Sequence, residues 1–185
     1  AARAGYVAVA EVQAVSRRKG AARLDKAVAA ELAPLKLEKA KFVTDLAPLF
    51  EAEWSEAGTD RVQFTVATNP GAPPAPIAKI ASGGELSRIA LAIAVTTSQG
   101  GGAQTLIFDE VDVGVGGAVA EIVGHKLRSL GASRQVLCVT HLPQVAVQGH
   151  QHLVVEKEQD GGVYVDIRPL DPGDREIEIA RMLGG

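Results

Sequence analysis

Three regimes of hydrophobic patterning follow one another along the chain. From Ala1 to about Leu32 the sequence is rich in Ala with Lys, Arg and Glu and contains no proline, which predicts a helix with one weak point at Gly20. No strict heptad runs through it, because Gln13, Ser16 and Lys19 interrupt each candidate seam. Pro34 is expected to end or kink this helix. In the second regime, Lys41–Leu46 and, more clearly, Arg61–Ala67 alternate apolar with polar residues, the period of half-buried strands. Thr68–Pro76 holds four prolines and is expected to be a loop.

The third regime alternates helix and strand. Leu86, Ile89, Ala90, Ile93 and Ala94 fall on one helical stripe, which Gln99-Gly-Gly-Gly102 closes. Thr105-Leu-Ile-Phe108 is a short apolar run, the composition of a strand buried on both faces. A second stripe, Val119, Ile122, Val123, Leu127 and Leu130, ends at Gly131, and Val136–Val139 reads as a second buried strand. Strand, helix, strand predicts a right-handed parallel crossover and an α/β fold, with ligands beyond the carboxyl ends of the strands. The tail predicts a hairpin, Leu153–Glu156 and Val163–Ile167 around Asp160-Gly-Gly162, and a last helix at Asp174–Leu183.

Composition narrows the setting. With 185 residues, 46% apolar, the chain can bury a core, yet no apolar run approaches the roughly 20 residues of a membrane span. A cytoplasmic location without a membrane partner is expected. The single cysteine, Cys138, cannot form an internal disulfide and reads as core. Residues 1–41 carry nine Lys/Arg against four Asp/Glu although the whole chain is at −3. That basic end, with Arg17-Arg18-Lys19, is either a solvated helix face or a contact to nucleic-acid phosphates. Few aromatics accompany it, so base stacking has no platform there.

Candidate chemistry collects where the two buried strands end. The first runs into Asp109-Glu110 and the second into Thr140-His141, which puts titratable groups on one edge of one sheet. Asp109 suits Mg2+, an ion that keeps several waters and takes one or two carboxylates. Glu110 suits orienting or deprotonating an attacking water. His141 can donate a hydrogen bond to a terminal phosphate. Upstream, Ser82-Gly-Gly-Glu85 has the spacing of a capping box. Two glycines go beyond what a cap requires, and they bare consecutive N–H groups at the positive end of a helix. A Gly-x4-Gly-Lys-Ser/Thr phosphate loop is absent from the sequence, so the main triphosphate cradle is expected from elsewhere. His150 and His152 alternate as on one strand face but lack a third ligand nearby, which favours surface or core over metal.

In this order, the motifs resemble the C-terminal lobe of an ABC-type P-loop ATPase head: Ser82–Arg88 its signature, Leu106–Glu110 its Walker B strand, Val139-Thr-His141 its switch histidine. Asp-Glu-Val-Asp112 is similar to SMC-like ATPases rather than transporters, which usually have proline after the glutamate. The wording from Ile77 to Ile93, Ile107 to Gly114, Val139 to Ala146 and Ile179 to Gly185 resembles the bacterial RecN family of DNA-repair proteins.

The resemblance implies a parallel sheet with flanking helices at 41–185, preceded at 1–40 by the returning end of an antiparallel coiled coil. An N-terminal lobe of the same protein would carry the phosphate loop. It further implies ATP and Mg2+ between two heads of a homodimer acting on DNA in double-strand break repair, at the nucleoid. Ser82, Gly83, Gly84 and Glu85 would serve the partner head's nucleotide, and Asp109, Glu110 and His141 the head's own. SMC relatives often place an aspartate that reaches across the dimer where this chain has Gly116, leaving Asp112 a weak substitute. A transporter subunit, a chromosome-structure SMC head and a non-hydrolysing DNA-binding module are the alternatives.

Overall fold

A computed structural model describes residues 2–80, 82–100, 103–159 and 163–184. The chain divides into two compact units, residues 1–99 and 100–185.

The first unit is organised by helix α1 (Ala2–Leu32), about 45 Å long at 1.5 Å per residue. Pro34 lies in a single 3-10 turn just past its end, and Lys36 then turns the chain through a left-handed conformation at φ 61°. Strands β1 (Lys41–Pro48) and β2 (Asp60–Ala67) pair antiparallel, with Phe42 opposite Val66. The proline-rich segment contributes only a two-residue edge strand, β3 (Ala75–Pro76). An edge is where proline's missing N–H costs no ladder bond. Helix α2 (Gly83–Thr96) completes the unit. Val28, Leu32, Leu35, Phe42, Ile89 and Leu91 are buried.

Two sequence expectations change here. In α1 the inward positions Ala10, Ala14, Arg17, Ala21, Leu24 and Val28 step by four and three residues, so a seam exists. Its members are largely small or polar, and hydrophobicity alone did not reveal it. In α2 the buried side chains are Arg88, Ile89, Leu91 and Ala92, whereas Ala90 is exposed. The inward face is rotated from the expected stripe because the buried Arg88 occupies part of it.

The start of α1 is fastened to the 50–58 turn. Arg3 reaches both Glu51 oxygens at 2.7 and 2.8 Å and lies 5.8 Å over the Trp54 ring. Tyr6 stacks on Trp54 at 5.6 Å and donates to the Ser55 carbonyl. Arg17, first of the basic triplet, donates to the Ala57 carbonyl at 2.6 Å. Further along, Asp25 accepts from both the N–H and the hydroxyl of Thr44 in β1, at 2.9 and 2.7 Å.

In the second unit β4 (Thr105–Phe108) and β5 (Gln135–Cys138) pair in parallel, with Phe108 opposite Cys138. Between them runs α3 (Gly117–Leu130), whose buried side is Ala120, Val123, Gly124, Leu127 and Leu130. A single turn, α4 (Pro143–Ala146), follows β5. The hairpin β6 (Leu153–Gln159) and β7 (Val163–Pro169) and helix α5 (Pro172–Met182) close the chain. The expected hairpin turn at 160–162 lies outside the described residues. His150 and His152 precede β6 and are not part of a strand.

The expectation that both strands of the parallel pair are covered on both faces does not hold. Ile107 is 71% exposed, and Leu137 and Val139 are open beside it, whereas Phe108 is buried. Only one face of this two-stranded sheet is covered, so the run of apolar residues overstates the packing that these 185 residues supply.

Candidate active site

The parallel register sets the site. Val139 donates its N–H to the Phe108 carbonyl at 3.0 Å, continuing the ladder one residue past Cys138. Asp109 and Thr140 therefore leave the sheet at the same edge. Asp109, Glu110, Thr140 and His141 line one shallow pocket of about 180 Å³ together with Asp112. Asp109, Glu110 and His141 are exposed.

Backbone geometry at the acidic pair is unusual. Glu110 has φ 57°, a left-handed conformation that few non-glycine residues adopt and that costs about 1 kcal/mol or more. Asp109 Oδ1 accepts the Glu110 N–H at 2.9 Å and holds that turn. The Glu110 carbonyl then accepts from Val113 at 3.1 Å, forming a tight bend after the strand.

Asp112 is placed differently from the sequence expectation. Its side chain is 2% exposed and faces β5 of its own chain. Oδ2 accepts the Thr140 hydroxyl and the His141 N–H, the latter at 3.2 Å, and lies 3.4 Å from His141 Nδ1. The Thr140 oxygen in turn accepts the Leu142 N–H at 3.0 Å. A residue turned inward in this way is poorly suited to reach across a dimer, the role for which Asp112 was a weak candidate. Sequence reasoning missed the contact because 28 residues separate Asp112 from Thr140. The one signal available was that both residues follow strands paired in parallel.

Cys138, one residue from that ladder end, is held protonated. Burial, then the negative charges of Asp112 and Asp109, push its thiol up to about 12. In the first unit, Ser82 caps α2: its hydroxyl oxygen accepts the Glu85 N–H at 3.4 Å, and the Leu86 N–H closes the first turn on the Ser82 carbonyl. Ser82 and Gly83 are exposed, Gly84 is buried, and Glu85 is half-buried. Because Ser82 accepts in the cap, that bond leaves its hydroxyl proton available to an anion. Burial lowers the pKa of Arg88, one turn on, and Glu85 partly offsets this. Among the described residues no three ligating side chains gather as a metal cage.

The chain is similar to known proteins along nearly its whole length. Over 177 residues the chain is 48% identical to the DNA repair protein RecN of Xylella fastidiosa, covering 95% of the chain and 32% of that protein. Over 181 residues it is 49% identical to RecN of Vibrio cholerae, covering 97% and 32%. The likeness to these RecN proteins runs along nearly the whole chain. It spans about a third of the length of these RecN relatives, a C-terminal portion. Identity to Bacillus subtilis RecN is 39% over 183 residues. No family model matches.

Solved structures agree in fold. A Smc head with coiled coil and joint from Pyrococcus yayanosii superposes with a TM-score of 0.60 at 17% identity, over 90% of the chain and 30% of that structure. A second, from work on ATP-driven dimerization and DNA-stimulated activation of SMC ATPases, gives 0.53 at 16%, over 94% and 97%. The chain thus has the α/β fold of an SMC-type head. No described helix is long and apolar enough to cross a membrane.

Proposed function

We propose that this chain is the C-terminal part of an SMC-like ATPase that acts in recombinational repair of DNA double-strand breaks, with ATP held between two dimerised heads. The observation that carries the proposal is the common pocket of Asp109, Glu110 and His141 at the carboxyl ends of two parallel strands, in a chain nearly half identical to RecN proteins. The helical segment at 1–40 is the returning end of a coil, and 41–185 is the lobe. An N-terminal lobe of the same protein supplies the phosphate loop, and the working location is the cytoplasmic nucleoid.

The donor set fits Mg2+. Asp109 presents an exposed carboxylate at a strand end, and the lack of a three-ligand cage among the described residues suits an ion that retains waters and shares substrate phosphates. When bound, the ion neutralises charge on the phosphates.

The chain's own residues divide the remaining work. Glu110, in its left-handed turn, orients an attacking water and takes its proton. His141 donates to the terminal phosphate. Ser82, with the amides of Gly83 and Gly84 at the positive end of α2, holds the phosphates of the partner head's nucleotide, while the Glu85 N–H closes the cap on Ser82.

Glu110→Gln in the full-length protein tests this reading. The carboxamide keeps the shape and removes the base, so steady-state ATP hydrolysis should fall about a hundredfold or more, while ATP-dependent dimerisation, read by light scattering, persists. Unchanged hydrolysis would overturn the role of Glu110. A wild-type protein that binds but never hydrolyses ATP would favour the non-hydrolysing module.

A further inference from the structure

We infer that Asp112 is a positioning residue that holds the His141 ring in its working orientation, linking the end of β4 to the end of β5 within one head. The inference rests on the ATPase reading above and adds to it a function for Asp112 within its own chain.

The geometry carries the argument. The His141 side chain is 69% exposed, and an exposed ring is ordinarily free to change rotamer. Here its Nδ1 edge lies 3.4 Å from a carboxylate oxygen whose residue is almost wholly buried. The same oxygen accepts the His141 backbone N–H at 3.2 Å and the Thr140 hydroxyl. One atom thus accepts from the histidine's backbone and the preceding side chain and lies against one edge of the ring. His141 itself lines the pocket that Asp109 and Glu110 also line.

Asp112 is itself rigidly placed. Val111 beside it is fully buried, and the Asp112 carbonyl accepts the Val115 N–H at 3.3 Å. A buried carboxylate is costly unless several donors meet it, and all the donors found for it come from residues 140 and 141. The acidic bend after β4 and the histidine after β5 are therefore joined by a side chain as well as by the strand ladder. A shift of the 109–112 bend moves the ring with it.

The test uses the full-length protein with Asp112→Ala, Asp112→Asn, His141→Ala and the Asp112→Ala/His141→Ala double variant, with Thr140→Val as a milder probe should Asp112→Ala fail to fold. Misplacing a group by about an ångström can cost about a hundredfold. Asp112→Ala should therefore lower the maximal rate of ATP hydrolysis nearly as far as His141→Ala, while the affinity for a fluorescent ATP analogue stays within about twofold of wild type. Asp112→Asn, which can place a carboxamide oxygen in the same position, should recover most of the rate. The double variant should be no slower than His141→Ala alone, as expected of residues that act as one unit.

In protein labelled with [15N]histidine, the His141 ring signals should move in Asp112→Ala and Thr140→Val and return toward wild type in Asp112→Asn. Ring signals indifferent to Asp112→Ala, or a double variant slowed by the product of the single effects, would overturn the inference. If wild-type protein does not hydrolyse ATP, the proposed function fails while the ring signals still decide whether Asp112 holds His141.

Discussion

The unit at 1–99 and the unit at 100–185 differ in how far each closes its own core. In the first, Leu32, Leu35, Ile89, Leu91 and Val28 are at 0–1% exposure around α1 and α2. Its large exposed apolar residues include Val9 and Val12 on the outer side of the long helix and Phe50 in the turn. In the second, a whole sheet face is bare at Ile107, Leu137 and Val139, and the β6–β7 hairpin presents a further apolar ladder of Leu153, Val155, Val165 and Ile167. Apolar area on this scale on a protein surface normally marks something that covers it. The first unit closes its own core, whereas the unit carrying Asp109, Glu110 and His141 leaves one face of its parallel sheet uncovered.

Four measurements test that contrast. The largest effect is expected from Leu32→Ala, which should cost about 3 kcal/mol in urea unfolding of the 185-residue chain, since a fully buried leucine leaves a cavity. A cost below about 1 kcal/mol would mean the first unit is not closed. Next, Cys138 points away from the bare face. With its thiol raised to about 12, the reactive thiolate is scarce at neutral pH and appears only as the pH climbs toward that value. Iodoacetamide at pH 8 should label it about a hundredfold more slowly than a free cysteine, and rapid labelling would show both faces of β5 to be open.

Helix caps give the third comparison, because each unit has one. Ser82→Ala and Asp171→Ala should each cost about 1 kcal/mol. Asp171 should cost the more, as its bond to the Asp174 N–H is 2.8 Å against 3.4 Å at Ser82 and its charge also favours a helix N-terminus. Smallest is Ile107→Ser: within about 0.5 kcal/mol in the 185-residue chain, as for an exposed site. In the full-length protein the same change should cost about 1–2 kcal/mol if the proposed N-terminal lobe buries that side chain. Equal costs in the two contexts would leave the bare face without a covering lobe.

How much was legible in the sequence follows from which physics each feature depends on. The alternation in Arg61–Ala67, the stop at Pro34 and the strand-helix-strand order from Thr105 to Cys138 are local patterns, and the elements are close to where those patterns place them. The motif residues Asp109, Glu110 and His141 could be brought together because parallel strands deliver their ends to one edge. Three features escaped for separate reasons. The α1 seam is built of Ala10, Ala14 and Ala21, which carry too little hydrophobic contrast to show a period. The inward face of α2 includes Arg88, a charge that no hydropathy pattern assigns to a core. Asp112 reads like a surface acid in sequence and is buried where Thr140 and His141, just past the end of β5, come to it.

The register of β4 against β5 also limits which changes of length the molecule can absorb. Thr105 faces Gln135, and its hydroxyl donates to the Gln135 side chain at 2.9 Å. Side chains alternate with a period of two, so one residue inserted between Thr105 and Asp109 would exchange Phe108 with the bare row and displace Asp112 from Thr140. An extra residue at Ala132 or Ser133, in the turn ahead of β5, leaves every pairing intact. Insertions should therefore accumulate in that turn and be purged from the strand, whatever their composition.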